Sequence, residues 1–395
     1  MATLPIALKN TFPSSSTVYA YITGTALPPN NGLFILQSNG TSPYYPSSPS
    51  STGSPLAVDC AIPLPRGPDG SITARIPHLA GGRIWFSVDA KLTFLLNPGP
   101  ALVEPSVSNP SDPNVHINWG FAEFTWDTTQ LFANISAVDF ISLPIGLSLT
   151  SSTPNTPVQT VPGMPASGLN TICTALATQQ SRDNAGWTSL IVTSPGSTTN
   201  LRALSPNQGI VMNPSLFAGY YDNYVNQVYS HYSTHSLSVD TQAQWGILAG
   251  RTNNANGALD FGTGDAGVAL TFAKPSTADI FSCSTGPFAA SSSIEKGALV
   301  ARLAAAFNRS TLLLGGGEIP GGAGEEGYYG APVTNHYARI VHSVEVGGRG
   351  YAFPFDDVTP TGGQDQSGAV MDGNPGVLTV TVGGGDVGAA MQVQG

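Results

Sequence analysis

Short apolar bursts, broken by Pro, Gly and Ser, run through the first 150 positions of the chain. Ile6–Leu8, Val18–Ile22, Leu33–Leu36, Ile72–Ile76, Arg83–Ser87 and Leu92–Leu96 each end near a turn residue, and each predicts a strand. Residues 38–55 and 98–113 predict loops, and Phe121–Trp126 and Val138–Leu149 predict two further strands. The period changes near residue 165. Leu169, Ile172, Cys173 and Leu176 recur at helical spacing, and Gly186 closes that segment. Trp187–Thr193 predicts a strand. Asn213-Pro214 reads as an N-cap and first-turn pair ahead of a helix face made by Phe217, Tyr220, Tyr224 and Val228.

Strands follow at Leu237–Val239, Trp245–Ala249 and Val268–Phe272. Ser292-Ser293-Ile294-Glu295 reads as a capping box that opens a helix burying Ile294, Leu299, Leu303 and Phe307. Beyond residue 310 the chain is Gly-rich and then predicts strands at Arg339–Val346, Tyr351–Phe355 and Val377–Val382. The pattern predicts a mainly β protein with a mixed α/β part. A β domain takes residues 1–160 and 313–395, and the α/β segment 161–312 is inserted between them.

Composition narrows the class. Charged residues are 10% of the chain, against about 25% in an average soluble protein. With 46 Gly and 32 Pro but 41% hydrophobic residues, the chain is loop-rich without being disordered. The net charge of −10 and the absence of a basic cluster exclude a nucleic-acid partner. No apolar run approaches the ~20 residues that span a bilayer, so no membrane partner is expected. This is the composition of a secreted protein. Met1-Ala2-Thr3-Leu4-Pro5 carries no signal-peptide pattern, so the leader is expected to be absent from this chain. Cys60, Cys173 and Cys283 lack metal-ligand spacing and leave either one disulfide or three buried thiols. Neither a metal nor a cofactor is expected. Asn39, Asn134 and Asn308 begin glycosylation triplets.

Against so few charges, two acids stand out. Glu123 lies in Trp119-Gly120-Phe121-Ala122-Glu123-Phe124-Thr125-Trp126, and Asp139 in Ile135-Ser136-Ala137-Val138-Asp139-Phe140. Hydrolysis of a glycosidic bond needs one carboxyl group that donates a proton and one that stays ionised. Phe121, Phe124 and Trp126 offer Glu123 an apolar surround, although strand alternation puts only Phe121 and Thr125 on its face. An antiparallel return can bring Asp139 to that face. Spacing alone favours solvated carboxylates or ones that satisfy backbone donors, the commoner state of acids in strand-rich proteins.

The same residues resemble glycoside hydrolase family 64, the β-1,3-glucanases of thaumatin-like fold. Further matches follow in order: Ala278-Asp279-Ile280-Phe281-Ser282-Cys283, Ala304–Leu312, Asn335-His336-Tyr337-Ala338-Arg339 and Tyr351–Val358. The resemblance implies a β-barrel or sandwich domain and an α/β domain forming a crescent around a wide open groove. It implies inverting hydrolysis of β-1,3-glucan, in single or triple-helical form, to laminari-oligosaccharides such as the pentaose, by a monomer. It places the general acid on Glu123 and the general base on Asp139. It places sugar contacts on Thr125, Asp127, Phe132 and Ser136, where the family pattern carries Asn, Trp and Thr at the last three. These departures bear on subsite strength and product length.

Other residues admit two readings. Asp356 or Asp357 could face the groove or cap a turn. Tyr220, Tyr221, Tyr224, Tyr229 and Tyr232 could stack on sugars or fill a core. His336 lacks ligand spacing. A non-catalytic glucan-binding protein of the same shape, and an adhesive surface protein using the Ser/Pro-rich loops, stay open as rivals.

Overall fold

The computed structural model describes residues 3–12, 16–67 and 70–384. Met1 and Ala2, at the start of the N-terminal stretch, lie outside them. The chain is mostly β with some helices. Two sheets form from both ends of the sequence. In the first, five-stranded, Leu4–Asn10 runs parallel to Pro375–Val382 and antiparallel to Ser71–Ile76; Ile145–Ser151 and Gln159–Val161 complete it beyond Pro375–Val382. The second is eight-stranded. Its central order is Ala369–Asp372, Leu131–Ile135, Asn118–Trp126, Leu79–Val88, Val18–Ala26 and Gly32–Leu36, antiparallel throughout.

Alternation decides what lies between the sheets. Ala20, Ile22, Ile84, Phe86, Ala122, Phe124, Leu131 and Ala133 pack from the large sheet against Leu4, Ile6, Leu8, Leu147, Leu378 and Val380 of the small one. A fully buried side chain of this kind contributes roughly 1.5–3 kcal/mol. Gly82 lies opposite Phe124 in the register, and a Cβ there would meet the Phe124 ring at 2.4 Å, so the ring takes the space a side chain would fill.

The outer face of the large sheet has a different cover. Tyr21, Ile35, Trp85, Trp119 and Phe121 join one core with Phe140, Trp187, Leu204 and Tyr337 of the mixed part. Loop residues 89–117 are strapped across this face. Tyr21 Oη accepts from Leu92 N at 2.8 Å, Trp119 Nε1 donates to Asn114 O at 3.1 Å, and buried Arg202 donates to Val115 O and Ile117 O at 2.8 and 2.6 Å. The mixed part holds a three-stranded sheet of Phe140–Ile141, Asn200–Leu204 and Ile191–Thr193, and a five-stranded one with Leu237–Asp240 near its edge. Helix Gly168–Asp183 packs on helix His336–Val344.

Several expectations are corrected. Val138–Leu149 is not one strand: Phe140–Ile141 and Ile145–Ser151 belong to different sheets, parted at Pro144, which lacks the N–H a ladder needs. Trp187–Leu190 is a 3₁₀ turn before the strand Ile191–Thr193. Asn213 ends a helix rather than starting one. The helix Pro206–Met212 begins with the same chemistry one step earlier, Ser205 capping and Pro206 opening it. Ser293 caps Ile294–Arg309 through Lys296 N, while Glu295 accepts from Asp265 N at 2.7 Å, so no capping box forms there; one forms at Ser276 and Asp279. Arg339–Val346 is largely helix His336–Val344, capped by Asn335, with Ile340 and Val341 buried one turn after His336 and Tyr337. Within the segment 313–395, Glu318–Ile319 pairs with Leu237–Asp240, and the chain rejoins the large sheet only at Ala369.

Asp356 is fully buried and holds the C-terminal stretch together. Its Oδ1 lies 3.0 Å from Arg309 Nη2, its Oδ2 lies 2.9 Å from His342 Nε2 and accepts from Ala352 N at 2.8 Å. It is not a groove residue. Burial works to raise its pKa, but the His342 ring, the Arg309 guanidinium and the Ala352 N–H outweigh burial and hold the carboxyl below the usual range. The resulting stabilisation is present above the unfolded carboxyl value near ~3.9 and is lost as pH falls through the depressed folded one. Asp356→Asn leaves Arg309 buried without its counter-charge and is expected to cost about 3–5 kcal/mol, read as a lower urea midpoint at pH 7.

Candidate functional site

Arg83, Glu123, Asn134 and Ala369 lie in one row across four neighbouring strands, and Thr125, Phe132 and Met371 in the next row. Directly paired residues share a face, so both rows point outward. Asn134 and Ala369 are buried, but the cover described above leaves Arg83, Glu123 and the second row at least partly exposed. Trp119 and Phe121 are buried, whereas the Glu123 side chain is 36% exposed and Met371 50%.

Glu123 does not sit in a purely aromatic surround. Phe124 and Trp126 pack on the inner face. Arg83 Nε donates to Glu123 Oε1 at 3.3 Å, and Arg83 Nη1 makes a shorter contact with Glu104. The guanidinium lies over the rings of Phe121 and Trp85, at 5.0 and 5.5 Å from their centroids.

Asp139 reaches the same region by another route. After the return strand Leu131–Ile135 the chain makes one parallel bridge, Ser136 to Tyr351, and leaves the large sheet. Ala137 is held by its N–H on Tyr351 O (2.7 Å) and by its carbonyl, which accepts from Tyr337 Oη at 2.7 Å. Asp139 O then accepts from Ser205 N at 2.9 Å, and Asp139 Oδ1 accepts from Gln208 Nε2 at 2.7 Å. Helix Pro206–Met212 therefore orients the carboxylate. Asp139, Gln208, Arg83, Trp85, Trp119, Phe121 and Phe140 line one recess of about 130 Å³, closed on one side by Pro105–Ser108. Arg83 is the link: it lines the recess with Asp139 and bonds Glu123, which is not itself among the lining residues. The pair can present one carboxyl from the sheet and one from the crossover.

The remaining expected contacts divide. Thr125 and Phe132 are opposite one another beside Glu123, and Thr125 Oγ1 accepts from Gly81 N at 3.2 Å. Asp127 caps its own turn: Oδ1 accepts from Thr129 N, Thr129 Oγ1 and Gln130 N at 2.7, 2.6 and 3.0 Å, and these bonds, the Thr129 hydroxyl's first, hold its pKa low. Ser136 lies past the strand end, toward Tyr351. Arg83, Glu104 and Gln208 carried no signal in the sequence beyond the scarcity of charge, because each joins the site through pairing or a helix that only the fold brings near.

Other readings resolve toward structure. Tyr221, Tyr224, Tyr229 and Tyr232 are buried. Asn134 and Asn308 are buried, so of the three glycosylation triplets only Asn39 is exposed. The three cysteines are free and buried, and burial pushes the Cys60 thiol up to about 12. His336 is buried against Trp187, and burial lowers its pKa to about 4. Among the described residues no helix is long and apolar enough to cross a membrane.

The family model described as beta-1,3-glucanase matches residues 2–382. A glucan endo-1,3-beta-glucosidase of Arthrobacter sp. (strain YCWD3) is 30% identical over 305 residues, 77% of this chain and 52% of the relative; one from Cellulosimicrobium cellulans matches to the same extent. The chain thus spans about half the length of the curated relatives it matches. Among solved structures, a laminaripentaose-producing beta-1,3-glucanase in complex with laminaritetraose is 32% identical with a TM-score of 0.83, covering 97% of this chain and 99% of that one. A beta-1,3-glucanase domain from Clostridium beijerinckii, 23% identical with a TM-score of 0.72 over 96% of this chain and 98% of that one, shares the fold.

Behind Ser136 and Phe121 a cavity of about 30 Å³, room for a water or two, is lined by Glu345, which is buried. Burial raises the Glu345 carboxyl to about 8, and its Oε2 has no partner among the described residues. A folded value above the unfolded one gives stability that is full below the unfolded value near ~4.3 and is lost as pH rises through about 8. Glu345→Gln keeps the neutral shape. Its unfolding free energy relative to the parent is expected to be higher at pH 9 than at pH 5 by on the order of 4 kcal/mol, as read by urea titration at both pH values.

Proposed function

Because the chain belongs to the β-1,3-glucanases of glycoside hydrolase family 64, we propose that it is a hydrolase cleaving β-1,3-glucan with inversion to short laminari-oligosaccharides, in the way its laminaripentaose-producing neighbour is named for. Glu123 is the general acid that protonates the departing glycosidic oxygen. Asp139 is the general base that activates water on the opposite face of the sugar. The observation that supports this reading is Arg83, which lines the recess holding Asp139 and also bonds Glu123. Gln208 supports the base role, since an amide N–H on Oδ1 holds the side chain in one orientation.

Thr125, Phe132 and Ser136 are the sugar contacts of this reading, with Phe132 as the stacking face and Asp127 shaping the turn beside it. The half-exposed rows around Thr125 and Phe132 suit a groove open enough for a bundled glucan, between a thaumatin-like β part and the mixed part. The protein acts as a secreted monomer. A binding-only role is disfavoured because a binding surface has no use for a second carboxylate held by a dedicated helix.

Glu123→Gln and Asp139→Asn are each expected to lower reducing-sugar release from laminarin and curdlan by about 10²–10⁴-fold with the unfolding midpoint retained. Near-normal activity in either removes that residue from the mechanism. NMR of the first product is expected to show the α-anomer, and the β-anomer would overturn inversion. Phe132→Ala is expected to raise KM by about tenfold, while Phe132→Trp lowers it, measured on laminari-oligosaccharides of graded length.

A further inference from the structure

Beside Glu123 stands a permanent cation, and that is a problem for a proton donor. A guanidinium stays charged at every working pH, and a cation within hydrogen-bond reach of a carboxyl favours its ionised form. A residue that must hold a proton gains nothing from such a neighbour unless the charge is compensated. Glu104 supplies the compensation. It follows the strand Ala101–Val103 on the strap that covers the sheet and meets Arg83 Nη1, leaving Nε for Glu123. The two acids use different nitrogens of one planar group, so Arg83 serves both at once. Its plane is set by the Phe121 and Trp85 rings beneath it.

We propose that Glu104 is a positioning residue for the proton donor: it neutralises Arg83, which holds the Glu123 carboxyl in place, and it thereby sets the alkaline limit of the activity. The inference rests on the assignment of Glu123 as general acid. The surroundings agree. Burial outweighs the pull of Arg83 and holds the Glu104 carboxyl above its ordinary value, and the Glu123 charge adds to the rise, so each acid feels the other beside the shared cation. The other charged side chain lining the recess that Arg83 enters is Asp139, and Gln208 already engages it. A partly exposed ion pair of this kind adds little to stability, so a purely structural role predicts little change on its removal.

The test is the pH dependence of kcat and KM on laminarin for the parent, Glu104→Gln, Glu104→Asp, Glu104→Gln with Arg83→Met, and Glu123→Gln. In Glu104→Gln the high-pH limb of kcat is expected to move to lower pH by about half a unit or more, with KM within about twofold. Glu104→Asp, which keeps the charge but withdraws it, is expected to fall between that variant and the parent. It carries the test alone should Glu104→Gln not fold. Removing the cation as well is expected to return the limb toward higher pH. A limb that coincides with the parent's in folded Glu104→Gln, or a loss of the same factor at every pH, overturns the assignment to Glu104. Retained activity in Glu123→Gln instead overturns the reading of the donor itself, so the two failures are told apart.

Discussion

Both faces of the eight-stranded sheet must be covered by apolar groups, but only one of them is covered along the full length of its strands. The inner face packs against the five-stranded sheet from end to end. The outer face takes its cover from the strap 89–117 and from the mixed part, and that cover extends over Tyr21, Trp85, Trp119 and Phe121 and then stops. Alternation does the rest. The next outward residues on the same strands, Arg83, Glu123 and Thr125, cannot be buried and cannot be apolar without leaving an exposed patch. A row of polar, partly exposed side chains therefore forms where the cover ends, with the packed sheet beneath it and solvent above.

The second acid obeys a different constraint. Asp139 lies where the chain leaves the large sheet for the three-stranded one, and a crossover of this kind has backbone groups that no ladder satisfies. Tyr337, Tyr351 and Ser205 satisfy them. These partners come from three distant parts of the sequence, and with Gln208 they fix Asp139 as firmly as a strand would. The helix Pro206–Met212 is short, but its cap at Ser205 ties it to the Asp139 carbonyl, so helix start and carboxylate position are one structural event.

The buried Arg309–Asp356–His342 cluster plays the matching part at the other end of the mixed region. It joins the end of helix Ile294–Arg309 to the stretch that carries Tyr351, which in turn bridges Ser136. The Tyr351 partner of Ser136 and Ala137, just ahead of Asp139, is thus backed by a desolvated charge network, whose loss would loosen the crossover as well as the core.

Local chemistry was legible from the chain itself: the strands with strict alternation, the long helix 168–183, and the loops rich in Pro and Gly; the two acids stood out only as candidates. Period and turn residues act over a few positions, so they can be read in order. What the chain alone did not disclose depends on neighbours far away in sequence. Asn213-Pro214 and Ser205-Pro206 carry equal capping chemistry, and tertiary packing chose the second. Arg339–Val346 has the composition of a strand, yet the Asn335 cap and its docking on Gly168–Asp183 make it a helix. Arg83 and Glu104 look like ordinary surface charges until antiparallel register and the strap set them beside Glu123. Register and strap placement are long-range choices made by the sum of burial over whole sheets, and no short stretch of sequence contains that sum.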